Sequence, residues 1–148
     1  MSDSSFLQAA LDNALQSFKD GNFPAGAVVA RAGVVLASAI SSSHPSLLHA
    51  DSKAVTAAFE RHGPLTGATL YIAMEPCLMC TGIAYWAGIR RIVYALPKNR
   101  LSGDYYETPS ETRTLISGFN ESVELICLPE LTEKALDIVR LWEKQNSL

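Results

Sequence analysis

One histidine, one aspartate and two cysteines are the residues of this chain whose types and spacing favour metal chemistry. His49 and Asp51 lie two positions apart, and Cys77 and Cys80 lie three positions apart. Residues at i and i+3 share one face of a helix, so both sulfurs can point toward one ion. One imidazole and two thiolates leave a fourth tetrahedral position open, as catalytic zinc sites do. The sequence therefore predicts one zinc ion per chain, held by His49, Cys77 and Cys80.

Both ligand pairs are expected where helices begin. Pro76 suits the position just before a first helical turn, because its missing N–H costs nothing there. The exposed N–H groups and the positive dipole end of a helix favour thiolates, so Cys77 and Cys80 are expected in that first turn. His49 is expected to open a helix that places Asp51 in its first turn. An early carboxylate also stabilises a helix N-terminus regardless of chemistry, so Asp51 has a structural interpretation as well.

Hydrophobic periodicity predicts an α/β chain around these helices. A first helix is expected over 5–20 and a hairpin over 27–37, followed by the histidine helix over 49–62. The strand–helix–strand unit over 69–95 favours a parallel pair, and a strand at 123–128 and a helix at 132–145 complete the chain. We predict a single α/β domain over 1–148, a three-layer α-β-α sandwich with a five-stranded mixed sheet.

The composition of the chain favours some partners and cell compartments over others. The chain has 148 residues, of which 48% are hydrophobic and 18% charged, and its net charge is −3. Nucleic acid is not the expected partner, because proteins that bind phosphate backbones are usually basic. Three cysteines are an odd number and too few for a disulfide framework, which favours a reducing compartment. Without a run of ~18 apolar residues or a basic leader, the expectation is a cytoplasmic protein with no membrane partner.

The arrangement H-x-D followed by P-C-x-x-C resembles the signature H-x-E…P-C-x-x-C of the zinc-dependent cytidine deaminase superfamily. Every ligand position matches, and Asp51 stands where the signature has its proton-shuttling glutamate. The segments 69–76 and 82–87 resemble the branch of guanine deaminases and tRNA adenosine deaminases. Within that branch, Tyr85-Trp86-Ala87 is more similar to the guanine deaminases.

The resemblance implies hydrolytic deamination. Water activated by zinc attacks the carbon that bears the exocyclic amine, and Asp51 serves as the catalytic proton shuttle. Serine stands at position 41 where many members of the superfamily carry an asparagine, and Glu75 is interpreted as a pocket or structural residue. The substrate-binding residues that the resemblance implies are Ala25, Gly26, Ser41, Ala50, Glu75 and Pro76. From the residues alone, Pro24-Ala25-Gly26 also reads as turn chemistry.

The expected function is a hydrolase of C–N bonds in cyclic amidines: a deaminase of a free nucleobase or related small heterocycle, guanine-like first, in purine metabolism. One alternative is a weakened or inactive deaminase-fold zinc module for ligand binding or assembly, and the other is a tRNA adenosine deaminase. The resemblance also implies a homodimer, with Trp86 either at the subunit contact or in the monomer core. The loop 97–113, with Tyr105 and Tyr106, and the C-terminal helix are candidates for closing the pocket.

Overall fold

A five-stranded mixed sheet forms the middle of the fold in the computed structural model, which describes residues 2–148. Its strands are β1 Gly26–Arg31, β2 Val34–Ile40, β3 Thr69–Met74, β4 Arg91–Leu96 and β5 Glu124–Cys127. They lie in the order β2-β1-β3-β4-β5, with β1 antiparallel to both β2 and β3. The pairs β3–β4 and β4–β5 are parallel. The predicted α/β fold with a mixed sheet of five strands is confirmed.

Helices cover both faces of this sheet. They are α1 Asp3–Lys19, α2 Ala50–His62, α3 Leu78–Ala87, α4 Thr112–Ile116 and α5 Thr132–Gln145, with 3-10 turns at Lys98–Arg100, Gly103–Tyr105 and Pro129–Leu131. Successive side chains of a strand point to opposite faces, so the strands contribute to two apolar cores. Val28 and Val93 pack with α1 and α5. Ala27 and Ile92 pack with α2 and α3 on the other face, which gives the three layers that the sequence predicts.

The predicted elements are all present, with small shifts at their ends. His49 and Cys77 are the N-cap residues of α2 and α3, so Cys77 lies just before the first turn that was expected to contain it. Its backbone is extended because the Cys77 sulfur itself accepts the Cys80 N–H. The polar connection after Leu96 contains two 3-10 turns and the start of α4. These elements are too short to carry a hydrophobic repeat that a sequence pattern could reveal.

An apolar groove lies between α2 and α3 on the outer surface. Val55 and Phe59 of α2 and Met79 and Ile83 of α3 line it. Trp86 also lines the groove and is 85% exposed. The interpretation that Trp86 fills the monomer core is therefore wrong. Within residues 2–148, no helix combines the length and apolarity that crossing a membrane requires.

A charged cluster ties the start of α1 to the sheet. Arg91 donates two hydrogen bonds to the Asp3 carboxylate, at 2.9 and 2.7 Å. The Tyr71 hydroxyl donates to the same carboxylate at 2.6 Å. The hydrogen bond from Arg91 lowers the pKa of Asp3 to about 2, against the opposing effect of burial. Arg91 therefore anchors α1 on β3 and β4.

We expect Asp3→Asn to lower the free energy of unfolding at pH 7 by about 1 kcal/mol, the upper range for a partly exposed ion pair. The folded-state pKa of Asp3 lies below its ordinary value of 3.8. The carboxylate therefore stabilises the fold fully above that value and loses the effect as the pH falls toward 2. Denaturant unfolding of both proteins between pH 7 and pH 3 measures the difference, with Asp137→Asn as a surface control. A difference that stays constant below pH 4 would contradict the assignment.

Candidate metal centre and active site

His49, Cys77 and Cys80 converge at the N-terminal ends of α2 and α3. The His49 Nδ1 atom lies 3.5 Å from the Cys77 Sγ atom and 3.4 Å from the Cys80 Sγ atom. All three ligand atoms lie within 4.8 Å of one another. Zinc–sulfur bonds of about 2.3 Å and zinc–nitrogen bonds of about 2.0 Å place tetrahedral nitrogen and sulfur ligands roughly 3.5 Å apart. The three side chains therefore fit one zinc ion in the positions they occupy.

The turn after β3 orients the two thiols. Pro76 directly precedes the N-cap residue Cys77, where the helix requires no N–H from it. The Cys77 Sγ atom accepts the Cys80 N–H at 3.4 Å, and the Thr81 hydroxyl donates to the Cys77 carbonyl at 2.7 Å. The first of these bonds satisfies an N–H group that the helix end leaves free, and both hold the sulfurs near the positive end of the helix dipole.

A carboxylate from a distant loop completes the N-terminus of α3. Glu107 accepts the N–H of Leu78 at 3.1 Å and the N–H of Met79 at 3.2 Å. Burial opposes ionisation, but hydrogen bonds from its own amide and from Met79 and Leu78 lower the pKa of Glu107. Sequence patterns could not reveal this cap, because Glu107 lies 29 positions after Leu78. Helix caps are predictable only when the capping residue is local.

The two thiols ionise as a pair. The hydrogen bond from Cys80 is the largest influence that lowers the pKa of Cys77 to about 6, and the His49 ring acts in the same direction. The same bond, followed by burial, raises the pKa of Cys80. The hydrogen bond to Cys77 also raises the pKa of His49. A divalent cation would hold both sulfurs as thiolates, because metal ligation displaces the protons that they share.

The donor set selects the kind of metal. Thiolate and imidazole ligands suit zinc, whereas magnesium and calcium prefer oxygen ligands. Three protein ligands are the number that catalytic zinc sites use, with a fourth position kept for water or substrate. His49, Cys77 and Cys80 thus have the chemistry as well as the spacing for a catalytic zinc.

Asp51 lies beside the ligands at the buried end of a cavity. It is the second residue of α2, is 9% exposed, and lines the same cavity as His49 and Cys77. Burial raises the pKa of Asp51, and hydrogen bonding with Cys80 and the nearby His49 act against this effect. A carboxyl group whose pKa is shifted toward neutrality is suited to proton transfer. Asp51 thus lies beside the ligand side chains, and its role as the proton shuttle stays a prediction.

The cavity is small, with a volume of about 50 Å³. Of the expected substrate contacts, those that line it are Ala25, Gly26, Ser41, Ala50 and Glu75. Pro76 lies outside this lining and acts through the turn that precedes α3. Gly26 has a packing reason as well, because a Cβ atom there would overlap the backbone of Ala10 and Ala14 in α1.

The Glu75 side chain holds a loop in place. Its two carboxylate oxygens accept the N–H groups of Lys98 and Thr112, each at 3.0 Å. The Tyr106 hydroxyl donates to the Glu75 carbonyl at 2.7 Å. The Lys98 ammonium group donates to the carbonyls of Thr108 and Ser110. Of the two sequence-based interpretations of Glu75, the geometry favours the structural one, since both of its carboxylate oxygens fix the loop 97–113 beside the cavity.

Several residues that line the cavity were missed by sequence reasoning or named only in general terms. Phe23 and His44 lie against each other at the cavity, with ring centroids 5.0 Å apart. Tyr105 and Tyr106, candidates for closing the pocket, both line it. No spacing rule connects these four positions. The only available signal was the presence of aromatic residues in otherwise polar loops.

We expect the purified protein to contain about one zinc ion per chain and Cys80→Ser to lose most of it, because a hydroxyl group is a much poorer zinc ligand than a thiolate. Metal analysis after purification without a chelator measures the content. Cys127→Ser, which changes the thiol in β5, is the matched control and should retain zinc. A wild-type protein free of zinc, or a folded Cys80→Ser variant with a full complement, would contradict this assignment.

Known proteins similar to this chain are deaminases. A tRNA-specific adenosine deaminase of Streptococcus pyogenes is 29% identical over 103 residues, which cover 66% of this chain and 65% of that protein. This chain therefore spans just under two thirds of the length of that relative. A probable cytosine deaminase of Schizosaccharomyces pombe is 25% identical over 133 residues, which cover 84% of this chain and 82% of that protein. The solved structure of a guanine deaminase from Nitrosomonas europaea has the same fold, with a TM-score of 0.78 at 18% identity over 94% of this chain and 83% of its own.

A family model for the cytidine and deoxycytidylate deaminase zinc-binding region matches residues 1–96, which is more than half of the chain. The matched segment includes all three zinc ligands and Asp51. The resemblance stated from the motifs is thereby confirmed, and the chain belongs to the zinc-dependent family of cytidine and deoxycytidylate deaminases.

Proposed function

We propose that this chain is a hydrolytic deaminase of a free nucleobase or a related small aminated heterocycle, with guanine-like bases first. Family membership supports hydrolytic deamination in general. The observation that carries the narrower proposal is the cavity of about 50 Å³ against His49, Cys77 and Asp51. This volume lies well below the roughly 300–1,000 Å³ of sites for drug-sized ligands, which favours a compact ligand over a large one. The guanine-like preference rests on the resemblance of Tyr85-Trp86-Ala87 to guanine deaminases.

The residues around the cavity divide the reaction between them. His49, Cys77 and Cys80 would hold the zinc, which when bound lowers the pKa of water and so supplies the nucleophile for C–N hydrolysis. Asp51 takes up one proton of the attacking water at its carboxylate and delivers it to a ring nitrogen, and it then carries the second proton of that water to the departing amine, which leaves as ammonia. The buried position of Asp51 keeps bulk water away from this transfer.

The length of the Asp51 side chain constrains where the substrate lies. Aspartate is one methylene shorter than the glutamate of the resembled signature, which removes about 1.5 Å of reach. A displacement of ~1 Å at a catalytic group can change a rate by about 10²-fold. We place the reacting edge of the substrate correspondingly close to the first turn of α2, directly beside the N-cap ligand His49.

Charge around the cavity supports a neutral small substrate. Glu107 caps α3 next to the cysteines, and Asp104 and Glu143 lie close to Tyr105 at the cavity mouth. Lys98, a cation of the adjacent loop, is held by two backbone carbonyls. A polynucleotide needs lysines and arginines free to neutralise its phosphates. Around the mouth, the Lys53 ammonium group donates to the Ser42 hydroxyl of the cavity lining at 3.3 Å, and the carboxylates outnumber it.

A tRNA adenosine deaminase is the second candidate, because the Streptococcus pyogenes relative is named for that activity. The expectation that nucleic acid is not a partner gains no support from this relative. Binding of tRNA that weakens steeply between 50 and 200 mM salt, together with inosine formation, would favour this candidate. Deamination of a free base without salt-dependent binding of tRNA would favour the first.

We expect ammonia release from at least one free base in a panel of guanine, adenine, cytosine, their nucleosides and related aminated heterocycles. Replacing Asp51 with asparagine should reduce the rate by about 10²-fold or more, because general acid–base catalysis contributes factors of 10² to 10⁴. Zinc content and melting temperature, measured beside the activity, show that the variant keeps the site. Asp51→Glu, run in parallel, tests the reach of the shorter carboxylate.

The outcomes separate the alternatives. Activity in the wild type that Asp51→Asn abolishes supports Asp51 as the shuttle. Activity only in Asp51→Glu indicates a zinc module that has lost most of its catalysis. No activity in either protein, with zinc bound, would overturn the proposal of a nucleobase deaminase for the compounds in the panel.

We also propose that a second copy of this chain covers the groove between α2 and α3. The groove has a volume of about 580 Å³ and is bordered by Trp86, which projects from it. A projecting side chain next to an apolar groove is self-complementary about a two-fold axis, because each copy offers a knob and a hole. Phe59 and Leu78 add exposed apolar surface on the same two helices.

We expect the wild-type protein to sediment as a dimer at micromolar concentration and Trp86→Glu to sediment as a monomer, because a charge would be buried at the contact. Analytical ultracentrifugation measures both. Leu141→Glu changes an exposed leucine of α5, away from the groove, and should leave the dimer intact. A monomeric wild type, or dimers that persist in a folded Trp86→Glu variant, would contradict this interface.

A further inference from the structure

Four aromatic rings meet at the mouth of the cavity. Phe23 is the central ring, with centroid distances of 5.0 Å to His44, 5.2 Å to Tyr105 and 5.0 Å to Trp142. Tyr105 and Trp142 are 5.9 Å apart. Several of these contacts are edge-to-face, the geometry that aromatic pairs prefer. We call these four residues the mouth cluster.

The members of the mouth cluster differ in their relation to the cavity. Phe23, His44 and Tyr105 line it, whereas Trp142 does not and packs behind Phe23 and Tyr105. Each ring comes from a different segment of the chain: the turn before β1, the loop between β2 and α2, the loop after β4, and α5. Two of the three lining rings are therefore supported from outside by a residue of α5.

A second contact from α5 fixes the same tyrosine. The Tyr105 hydroxyl donates a hydrogen bond to the Glu143 carboxylate. Burial, and then this carboxylate, raise the pKa of Tyr105, so the phenol keeps the proton that it donates. Trp142 and Glu143 are adjacent in sequence, and both hold Tyr105. α5 thus fixes two rings of the cavity lining, Phe23 and Tyr105, without lining the cavity itself.

We infer that Trp142 and Glu143 are positioning residues that set the class of substrate: by holding Phe23 and Tyr105 across the mouth, they restrict the site to free bases and exclude the corresponding ribosides. This inference rests on the proposed deaminase function. The reacting edge of a base must face Asp51 and the zinc ligands at the buried end, so a ribose would have to lie toward the mouth. The exposed His44 and the half-buried Tyr105 mark the side of the cavity that opens to solvent, and we place the sugar against these rings.

We expect the selectivity for free bases over ribosides to change when Trp142 no longer packs against Phe23 and Tyr105. Trp142→Ala takes away the edge contacts with Phe23 and Tyr105, so both rings can move aside. The ratio of kcat/KM for a free base to kcat/KM for its riboside should fall about tenfold, a size typical of lost aromatic contacts. The kcat/KM for the riboside should rise mainly through a lower KM, because Asp51 and the metal ligands are unchanged. Glu143→Gln, which keeps an acceptor for the Tyr105 hydroxyl, should change the ratio less than Glu143→Ala.

Two controls separate positioning from general stability. Trp142→Phe keeps a ring against Phe23 and should restore most of the discrimination. Lys144→Ala removes an exposed charged side chain next to Glu143 and should leave the ratio unchanged. Melting temperatures of all variants show whether the fold is retained. A ratio that is equal in wild type, Trp142→Ala and Trp142→Phe, with the fold intact, would overturn the inference.

The rate of zinc loss can be measured without turnover, so it tests the mouth cluster even if the proposed deaminase function is wrong. Zinc loss from the loaded protein to a colorimetric chelator requires access to the metal through the mouth. Trp142→Ala should lose zinc several-fold faster than wild type, while Trp142→Phe and Lys144→Ala should not. Wild type inactive on every base, with faster zinc loss in Trp142→Ala, would overturn the deaminase proposal but support the mouth cluster as a barrier. Equal rates of zinc loss in all variants, or a wild type that uses ribosides as well as bases, would overturn the barrier itself.

Discussion

The close packing of α2 and α3 on one face of the sheet is the constraint on which the site depends. His49 and Cys77 can meet only if the two helix starts lie side by side. Small residues make that approach possible: Ala54 and Ala58 of α2 and Ala84 of α3 are completely buried in the core between these helices and the sheet. A larger side chain at any of these positions would separate the helices and the ligands together. The metal site is therefore specified partly by alanines that never touch the metal.

The other half of the site depends on a buried polar network. The Glu75 carboxylate accepts two backbone N–H groups of the loop 97–113, and the Thr112 hydroxyl donates to the Pro76 carbonyl at 2.8 Å. No buried side-chain nitrogen or oxygen within residues 2–148 lacks a hydrogen-bond partner. A fully satisfied network of this kind rigidifies what it connects, whereas a partly satisfied one would destabilise it. The network thereby converts a long polar loop into a fixed wall that brings Tyr105 and Tyr106 to the cavity and Glu107 to the start of α3.

Sequence reasoning reached the parts of this protein that local patterns encode. The two residue pairs follow from short spacings, and the five strands and the long helices follow from periodicity. The union of the pairs in one site and the role of Asp51 were implied by the resemblance to the deaminase signature. Glu107 capping α3 and Trp142 supporting Phe23 could not be found in this way, because each contact joins residues that are far apart in the chain and follow no repeat. The exposed position of Trp86 shows a second limit of sequence reasoning, which concerns burial. An apolar helix face predicts burial, but whether the covering surface belongs to the same chain is decided by the packing of the whole molecule.

The charges around the metal centre give a reason for a neutral substrate. A zinc ion with two thiolates is formally neutral, and an ionised Asp51 beside it adds one buried negative charge. The N-termini of α2 and α3 both point at this group, and a helix N-terminus is equivalent to roughly half a positive charge. These partial charges offset much of the Asp51 charge, whereas Glu75 and Glu107 already use the nearest loop and helix N–H groups. Within residues 2–148 the cavity lining contains no lysine or arginine, and the Lys53 ammonium group beside it already donates to the Ser42 hydroxyl. A neutral heterocycle keeps this balance, and a substrate that carried its own anion into the site would not.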